Sequence, residues 1–413
     1  MYRNPDYKFI DFKIFLSYVG LVLLGLYAIY VVEYEPETTF SFYSEFGKQI
    51  LFHFISLTIG GLILLLDGKF LMRLSYLIYA FSIVLLISVL IFGETKHGAR
   101  SWFDFGVFGF QPAEFAKFGT VLAICKYLSK FDVNLSKKRD LIKILFFIAA
   151  PVFLIFLQPD MGSCLVFSFL IIPLFREGLN KWIPIILFGL LCLFIITILL
   201  SFKYTVLILA FSTLILIFYR KKYVKKSISV LILSSLFSFC FQHTFENFLK
   251  PHQQTRINVL LGKNISKAER YNLDQSLIGI GSGGFVGKGF LQGTQTKGDY
   301  IPEQSTDFIF CAIGEEFGFL GSLITIILFV FFMIRIIIIS ERQRSKFSRI
   351  FGYSFLGIFF SHFSINIGMI LGLFPVVGIP LPFVSYGGTA LISMTIFLFF
   401  FLKLDSYRME ILK

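Results

Sequence analysis

Apolar runs of about twenty residues recur along the whole chain, separated by short polar or basic turns. A run of that length crosses about 30 Å of hydrocarbon as a helix. The pattern predicts twelve candidate spans, at about 13–33, 48–67, 72–92, 111–129, 141–158, 161–176, 182–202, 204–219, 227–246, 308–334, 350–373 and 383–403. The shorter alternating segments of a membrane β-barrel are absent. The fold class is therefore all-α: a polytopic integral membrane helical bundle of about 10–12 transmembrane helices, read as one membrane domain over 1–413.

The polar segments set the orientation. Basic clusters follow the fourth span (Lys130, Lys137, Lys138, Arg139), the eighth (Arg220, Lys221, Lys222, Lys225, Lys226) and the tenth (Arg335, Arg342, Arg344, Lys346, Arg349). Lysine and arginine mark cytoplasmic loops, so even-numbered gaps lie inside and both termini are expected in the cytoplasm. Lys203 is the sole charge between the seventh and eighth spans. If those two formed one crossing, the parity would fail. On this parity 93–110 and 247–307 face outward. The second is a large extracytoplasmic loop before the third-last helix, far longer than an ordinary connection, and such loops are usually functional.

Composition agrees: 56% of residues are hydrophobic and 15% charged, against about 25% charged in soluble domains. The net charge of +13 would suggest nucleic acid in a soluble protein; here it marks cytoplasmic loops, and no nucleic-acid partner is expected. The stretch MYRNPDYKFIDFK is polar and basic, and the run after it is too long for a signal core. The five cysteines, Cys125, Cys164, Cys192, Cys240 and Cys311, lie in apolar runs without CxxC spacing, which points to packing rather than disulfides or a metal site.

Five stretches carry candidate chemistry. In QPAEFAK (111–117), Pro112 suits a first helical position, and Glu114 and Lys117 share a helix face. They form either a structural ion pair or the charged wall of an outward cavity. LQPDMG (157–162) reads as a tight outer turn at Asp160. IGIGSGGFVGKGF matches neither GxxxxGK[ST] nor a dinucleotide fingerprint; its glycines suit close packing or close approach to a ligand. GLFPVVGIPLPFVSYGG (372–388) must be buried in protein or line a wet cavity, with Ser385 and Tyr386 as ligands or helix caps. PEQSTDFIF (302–310) places Asp307 where a polar loop meets an apolar helix. A carboxylate in a partly dry cavity suits a general base, but Asp or the preceding Thr306 also suits the N-cap of the next helix. HExxH and GxSxG are absent, and His362 reads as an isolated packing residue.

Taken together, GARSWFDFGVFGFQPAEFAK, QPDMGSCLV, DQSLIGIGSGGFVGKGFLQGTQ, PEQSTDFIFCAIGEEFGFLG and NIGMILGLFPVVGIPLPFVSYGG resemble, in order, the SEDS family of bacterial cell-wall proteins, which includes RodA and FtsW. GTQ at 293–295 and VGIPLPFVSYGG look like the RodA branch. The resemblance implies a peptidoglycan glycosyltransferase that polymerises lipid II outside the cytoplasmic membrane during cell elongation. Its implied partners are a class B penicillin-binding protein transpeptidase and membrane lipid. The family's essential aspartate falls on Asp307, its outer-loop tryptophan on Trp102, and its Glu and Lys on Glu114 and Lys117. Gln275 and Ser385 complete the expected substrate contacts.

As general base, Asp307 would take the acceptor hydroxyl's proton while the diphosphate sits among Arg100, Lys117, Arg256 and Lys288. No metal-ligand cluster is visible in the sequence; a divalent cation, Mg2+ or Mn2+, is expected on the diphosphate. Three departures stand out: Ser305 replaces the family's histidine, LLGKNISKAERYNLDQS replaces a common DP segment, and two spans exceed the usual ten. Two other readings remain open, a lipid II flippase or transporter, and a non-catalytic scaffold of the wall-synthesis complex.

Overall fold

The computed structural model describes residues 11–35, 41–96, 98–106, 108–219, 221–247, 249, 251–263, 267–298 and 300–408. They form helices α1 (Phe12–Glu33), α2 (Glu45–Leu65), α3 (Gly68–Arg73), α4 (Ser75–Phe92), α5 (Pro112–Leu128), α6 (Lys138–Leu157), α7 (Met161–Ser168), α8 (Ile171–Arg176), α9 (Trp182–Tyr219), α10 (Val224–Asn247), α11 (Pro251–Leu261), α12 (Lys267–Ser282), α13 (Thr294–Lys297), α14 (Ile309–Glu341), α15 (Lys346–Ile370) and α16 (Gly388–Ser406). One small antiparallel sheet, β1 (Glu94–Lys96), β2 (Ala99–Asp104) and β3 (Gly109–Phe110), fills the gap between α4 and α5.

Nine helices among the described residues are long and apolar enough to cross a membrane. The predicted spans outside that count are also helical. α5 has 17 residues, and α7–α8 is a shorter apolar pair. α9 is interrupted at Ser201, at φ 69 and ψ 157, where the pattern divides two spans. The break frees the Phe202 amide, which donates to Gln242 Oε1 on α10 at 2.6 Å. The expected loop 247–307 holds α11, α12 and α13 rather than irregular chain.

The chain divides into two compact units, residues 1–179 with 271–413, and residues 180–270. In the second unit α10 lies along α9, joined by Thr197 donating to Ser238 at 3.0 Å and by Phe194 against Phe241. In the first unit α15 and α16 are the central helices, 72% and 78% buried along their apolar windows. Their phenylalanines interlock: Phe332 of α14 meets Phe359 at 4.6 Å, and Phe355 stacks on Phe397 at 5.6 Å. Lipid tails offer no hydrophobic drive between helices, so such tight aromatic packing supplies the association.

One end of this unit is bound by ion pairs. Asp11 caps α1, accepting from Lys13 and Ile14 amides, and pairs with Arg335 and Arg342 of α14. Arg342 also holds Asp405 near the end of α16. Burial pushes the Asp11 carboxyl up, but the bonds from Arg335 and the Ile14 amide outweigh it and hold it below the usual carboxylate range. All five cysteines are free.

Candidate functional site

The approach to α14 is a tight turn over Ile301–Phe308. Glu303 sits at φ 56, and its carbonyl accepts from the Asp307 amide at 3.1 Å and the Phe308 amide at 3.2 Å. α14 starts at Ile309 with Phe308 in the N-cap position and no side-chain cap. Thr306 turns its hydroxyl to Glu303 instead. The cap expected from Asp307 or Thr306 is therefore not formed, because the turn carries the chain one residue further before helix begins.

The proline- and glycine-rich segment between α15 and α16 closes over this turn. Its Leu381, Phe383 and Val384 are buried, so the irregular backbone is covered by protein, as membrane depth requires. Gly378 has φ 72, and a Cβ there would lie 3.3 Å from Asp307 Oδ2. Asn366 of α15 donates its amide to the Asp307 carbonyl at 2.8 Å and the Ile379 carbonyl at 2.7 Å. The Tyr386 amide donates to the Ser305 carbonyl at 2.8 Å. Asp307 is thus held by backbone bonds on both sides. Asn366 Oδ1 and both polar atoms of Gln304 are buried without a partner among the described residues, leaving hydrogen-bonding capacity near this turn. Ser385 braces the loop: its Oγ accepts from the Leu381 amide at 2.8 Å.

Behind this loop lies a buried charge cluster. Lys117 Nζ is 2.6 Å from Glu114 Oε1 and 2.8 Å from His362 Nε2, and all three side chains are at most 4% exposed. His362 Nδ1 faces the Pro380 carbonyl at 3.2 Å. These partners assign the tautomer: Nδ1–H donates, and Nε2 accepts from the ammonium. His362 is therefore not isolated; it couples the Glu114–Lys117 pair to the same loop that meets Asp307. Glu114 Oε2 has no partner among the described residues.

The glycine-rich stretch packs backbone to backbone against the first turns of α14. A Cβ on Gly283 would lie 2.0 Å from the Gly314 carbonyl, and one on Gly287 2.0 Å from that of Glu316. α14 itself breaks at Gly318, at φ 61, which lets the Phe319 amide reach the Gly284 carbonyl at 2.9 Å. Glu315 anchors the next loop: it takes Lys288 at 2.6 Å, the Gln295 amide at 2.9 Å and the Thr296 amide at 2.8 Å. Glu316 accepts from Tyr27 at 2.7 Å and the Leu291 amide at 2.8 Å. Close packing is the role the structure gives Gly283 and Gly287.

The other sequence candidates lie on several elements. Arg100 donates from Nε to the Gly93 carbonyl and from Nη2 to the Ile91 carbonyl, each at 2.7 Å, so it closes the end of α4. Trp102 is half-buried on β2 opposite Glu94. Gln275 is half-buried on α12. Arg256 lies on α11, in the second unit. Asp160 caps α7, bonding the Ser163 amide at 3.0 Å and receiving Gln111 Nε2 at 2.9 Å. Sequence reasoning missed Asn366 and Gly378. Asn366 follows His362 by one helical turn inside an apolar run, and paired polar residues within a span are a usable signal. Among the described residues no three His, Cys, Asp or Glu side chains converge as a metal site.

The model of the cell cycle protein family FtsW/RodA/SpoVE matches residues 12–206 and 203–410. The peptidoglycan glycosyltransferase MrdB of Escherichia coli (strain K12) is 33% identical over 318 residues, 77% of this chain and 74% of that protein. The peptidoglycan glycosyltransferase RodA of Treponema pallidum (strain Nichols) is 28% identical over 423 residues, 92% of this chain and 94% of that protein. Among solved structures, a chain of a peptidoglycan synthase complex superposes with a TM-score of 0.71 at 23% identity, covering 97% of this chain and 99% of that one. Thermus thermophilus RodA superposes at 0.64 and 23% identity, covering 97% and 98%. The fold, the ordered motifs and the family match agree: the chain belongs to the FtsW/RodA/SpoVE family of membrane proteins.

Proposed function

We infer that this chain is a peptidoglycan glycosyltransferase of the elongation type, polymerising lipid II at the outer face of the bacterial cytoplasmic membrane. One observation carries the catalytic assignment: Asp307 stands beside Gly378 with its backbone pinned by Asn366, on a turn held to the proline-rich loop by the Tyr386 amide. A carboxylate fixed this way is oriented before substrate arrives, which is what a base needs. It accepts the proton of the acceptor sugar hydroxyl as that oxygen attacks the donor's anomeric carbon and the diphosphate departs. Lys117, held between Glu114 and His362, keeps the wall behind the loop in place.

The orientation follows from the ion-paired end. Asp11 and Asp405 bring the start of α1 and the end of α16 to Arg342, at the basic turn between α14 and α15, and basic turns favour the cytoplasm. Asp307 precedes α14 and Arg342 follows it, so 33 helical residues separate them, about 50 Å of helix. This separation, with the break at Gly318 within it, supports an outer position for Asp307. A divalent cation on the diphosphate would rest on substrate oxygens. A class B penicillin-binding protein is the expected partner.

The test is glycan polymer formed from lipid II by purified wild type and Asp307→Asn, with the partner at matched levels. Polymerisation should fall by roughly 10²–10⁴-fold, the share of a positioned base. Equal yields from folded protein would remove Asp307 from the chemistry.

A further inference from the structure

A cavity of about 500 Å³ opens at the ion-paired end of the first unit, far from Asp307 along α14. Lys69 of α3, Arg344 and Ser345 of the α14–α15 turn, Ser348 of α15, and Tyr407 and Arg408 after α16 line it. No Asp or Glu is among its described lining residues. The carboxylate nearest in sequence to Arg408, Asp405, is buried and already held by Arg342 and Arg408.

Two of the lining donors, Arg344 and Ser348, make no hydrogen bond among the described residues. Arg344 is exposed and makes no ion pair or hydrogen bond among the described residues. Ser348 is 4% exposed, yet its hydroxyl makes no hydrogen bond among them. Ser345 occupies the N-cap of α15 without a side-chain cap bond, so the first-turn amides of a 25-residue helix remain uncapped by side chains. Helix N-termini attract anions, and buried donors without acceptors are costly.

We propose that this cavity binds a phosphate oxyanion, supplied by an acidic phospholipid headgroup or by soluble phosphate. The site lies where α2, α14 and α16 end and α15 begins, the depth at which headgroup phosphates sit. Basic pockets between membrane helices take such headgroups. Leu65, Leu66 and Phe70, all exposed beside Lys69, offer an apolar surface to acyl chains. The oxyanion takes bonds from Arg344, the Ser348 hydroxyl and the α15 amides, while Lys69 and Arg408 add charge.

The test titrates the full-length protein in zwitterionic detergent with dihexanoyl phosphatidylglycerol, dihexanoyl phosphatidylcholine and inorganic phosphate, read by calorimetry. Arg344→Gln and Ser348→Ala are the variants. Lys222→Gln, in the basic turn of the second unit, controls for diffuse charge. Saturable phosphatidylglycerol binding is expected, weaker by about tenfold in each variant and unchanged in Lys222→Gln, with phosphatidylcholine inert. Saturation by inorganic phosphate alone, with the same variant losses, upholds the oxyanion site and assigns a soluble source. No saturable anion binding, or binding unaltered by Arg344→Gln and Ser348→Ala, overturns the proposal.

Discussion

Asn366 on α15 donates its side-chain amide to the backbone carbonyl of Asp307, 59 residues away in sequence, and to that of Ile379. One side chain therefore ties the carboxylate's turn to the proline-rich loop. Asn366→Leu keeps the branched shape, with somewhat more volume, and removes both bonds. Leaving buried carbonyls unpaired costs about 1–3 kcal/mol each. A displacement of about 1 Å at the carboxylate costs roughly 10² in rate. Asn366→Asp should not rescue, because an ionised carboxylate cannot donate. Polymer yield and melting temperature measured together decide it: a folded variant with full activity would break the link.

The Glu114–Lys117–His362 cluster makes a second prediction. Lys117→Met leaves the Glu114 carboxylate buried without its cation, at a cost of about 3–5 kcal/mol. The double variant Glu114→Gln with Lys117→Met removes both charges and should melt higher than Lys117→Met alone. Strictly additive losses in melting temperature would show that the two residues act separately.

Gly378 and Gly98 form a matched pair. Both have φ in the left-handed region, 72 and 82, but a Cβ on Gly98 meets nothing within 4 Å, whereas one on Gly378 meets Asp307. Gly378→Ala and Gly98→Ala should each lose about 1–2 kcal/mol of backbone stability. Polymerisation should fall only in Gly378→Ala. Equal activity in both variants would mean that the Asp307–Gly378 contact does not position the carboxylate.

Lys288 separates anchoring from substrate binding. Its part-exposed ammonium pairs with Glu315, a buried carboxylate that the Gln295 and Thr296 amides also hold. Lys288→Met should leave polymerisation near wild type and make the 288–296 loop easier to cut by protease. Loss of polymerisation with unchanged protease resistance would instead place Lys288 on the diphosphate.

The spans were legible in the sequence because they are local. An apolar run long enough for the bilayer becomes a helix wherever it occurs, and even the break at Ser201 falls beside the lone Lys203. The motif stretches were legible too, since their residue types depart from an apolar background. Their partners were not. Arg100 and Lys288 read as candidate cations for the diphosphate; only the structure shows that one closes α4 and the other pairs with Glu315. His362 read as isolated, yet it meets Lys117 across 245 residues of chain. A polar side chain in a membrane bundle must find its partner from another helix, and which helix lies opposite is decided by packing. The sequence by itself determined the helices and the residues rich in chemistry; tertiary structure alone decided which of those residues face one another, because hydrogen bonds between helices depend on distances that no local pattern encodes.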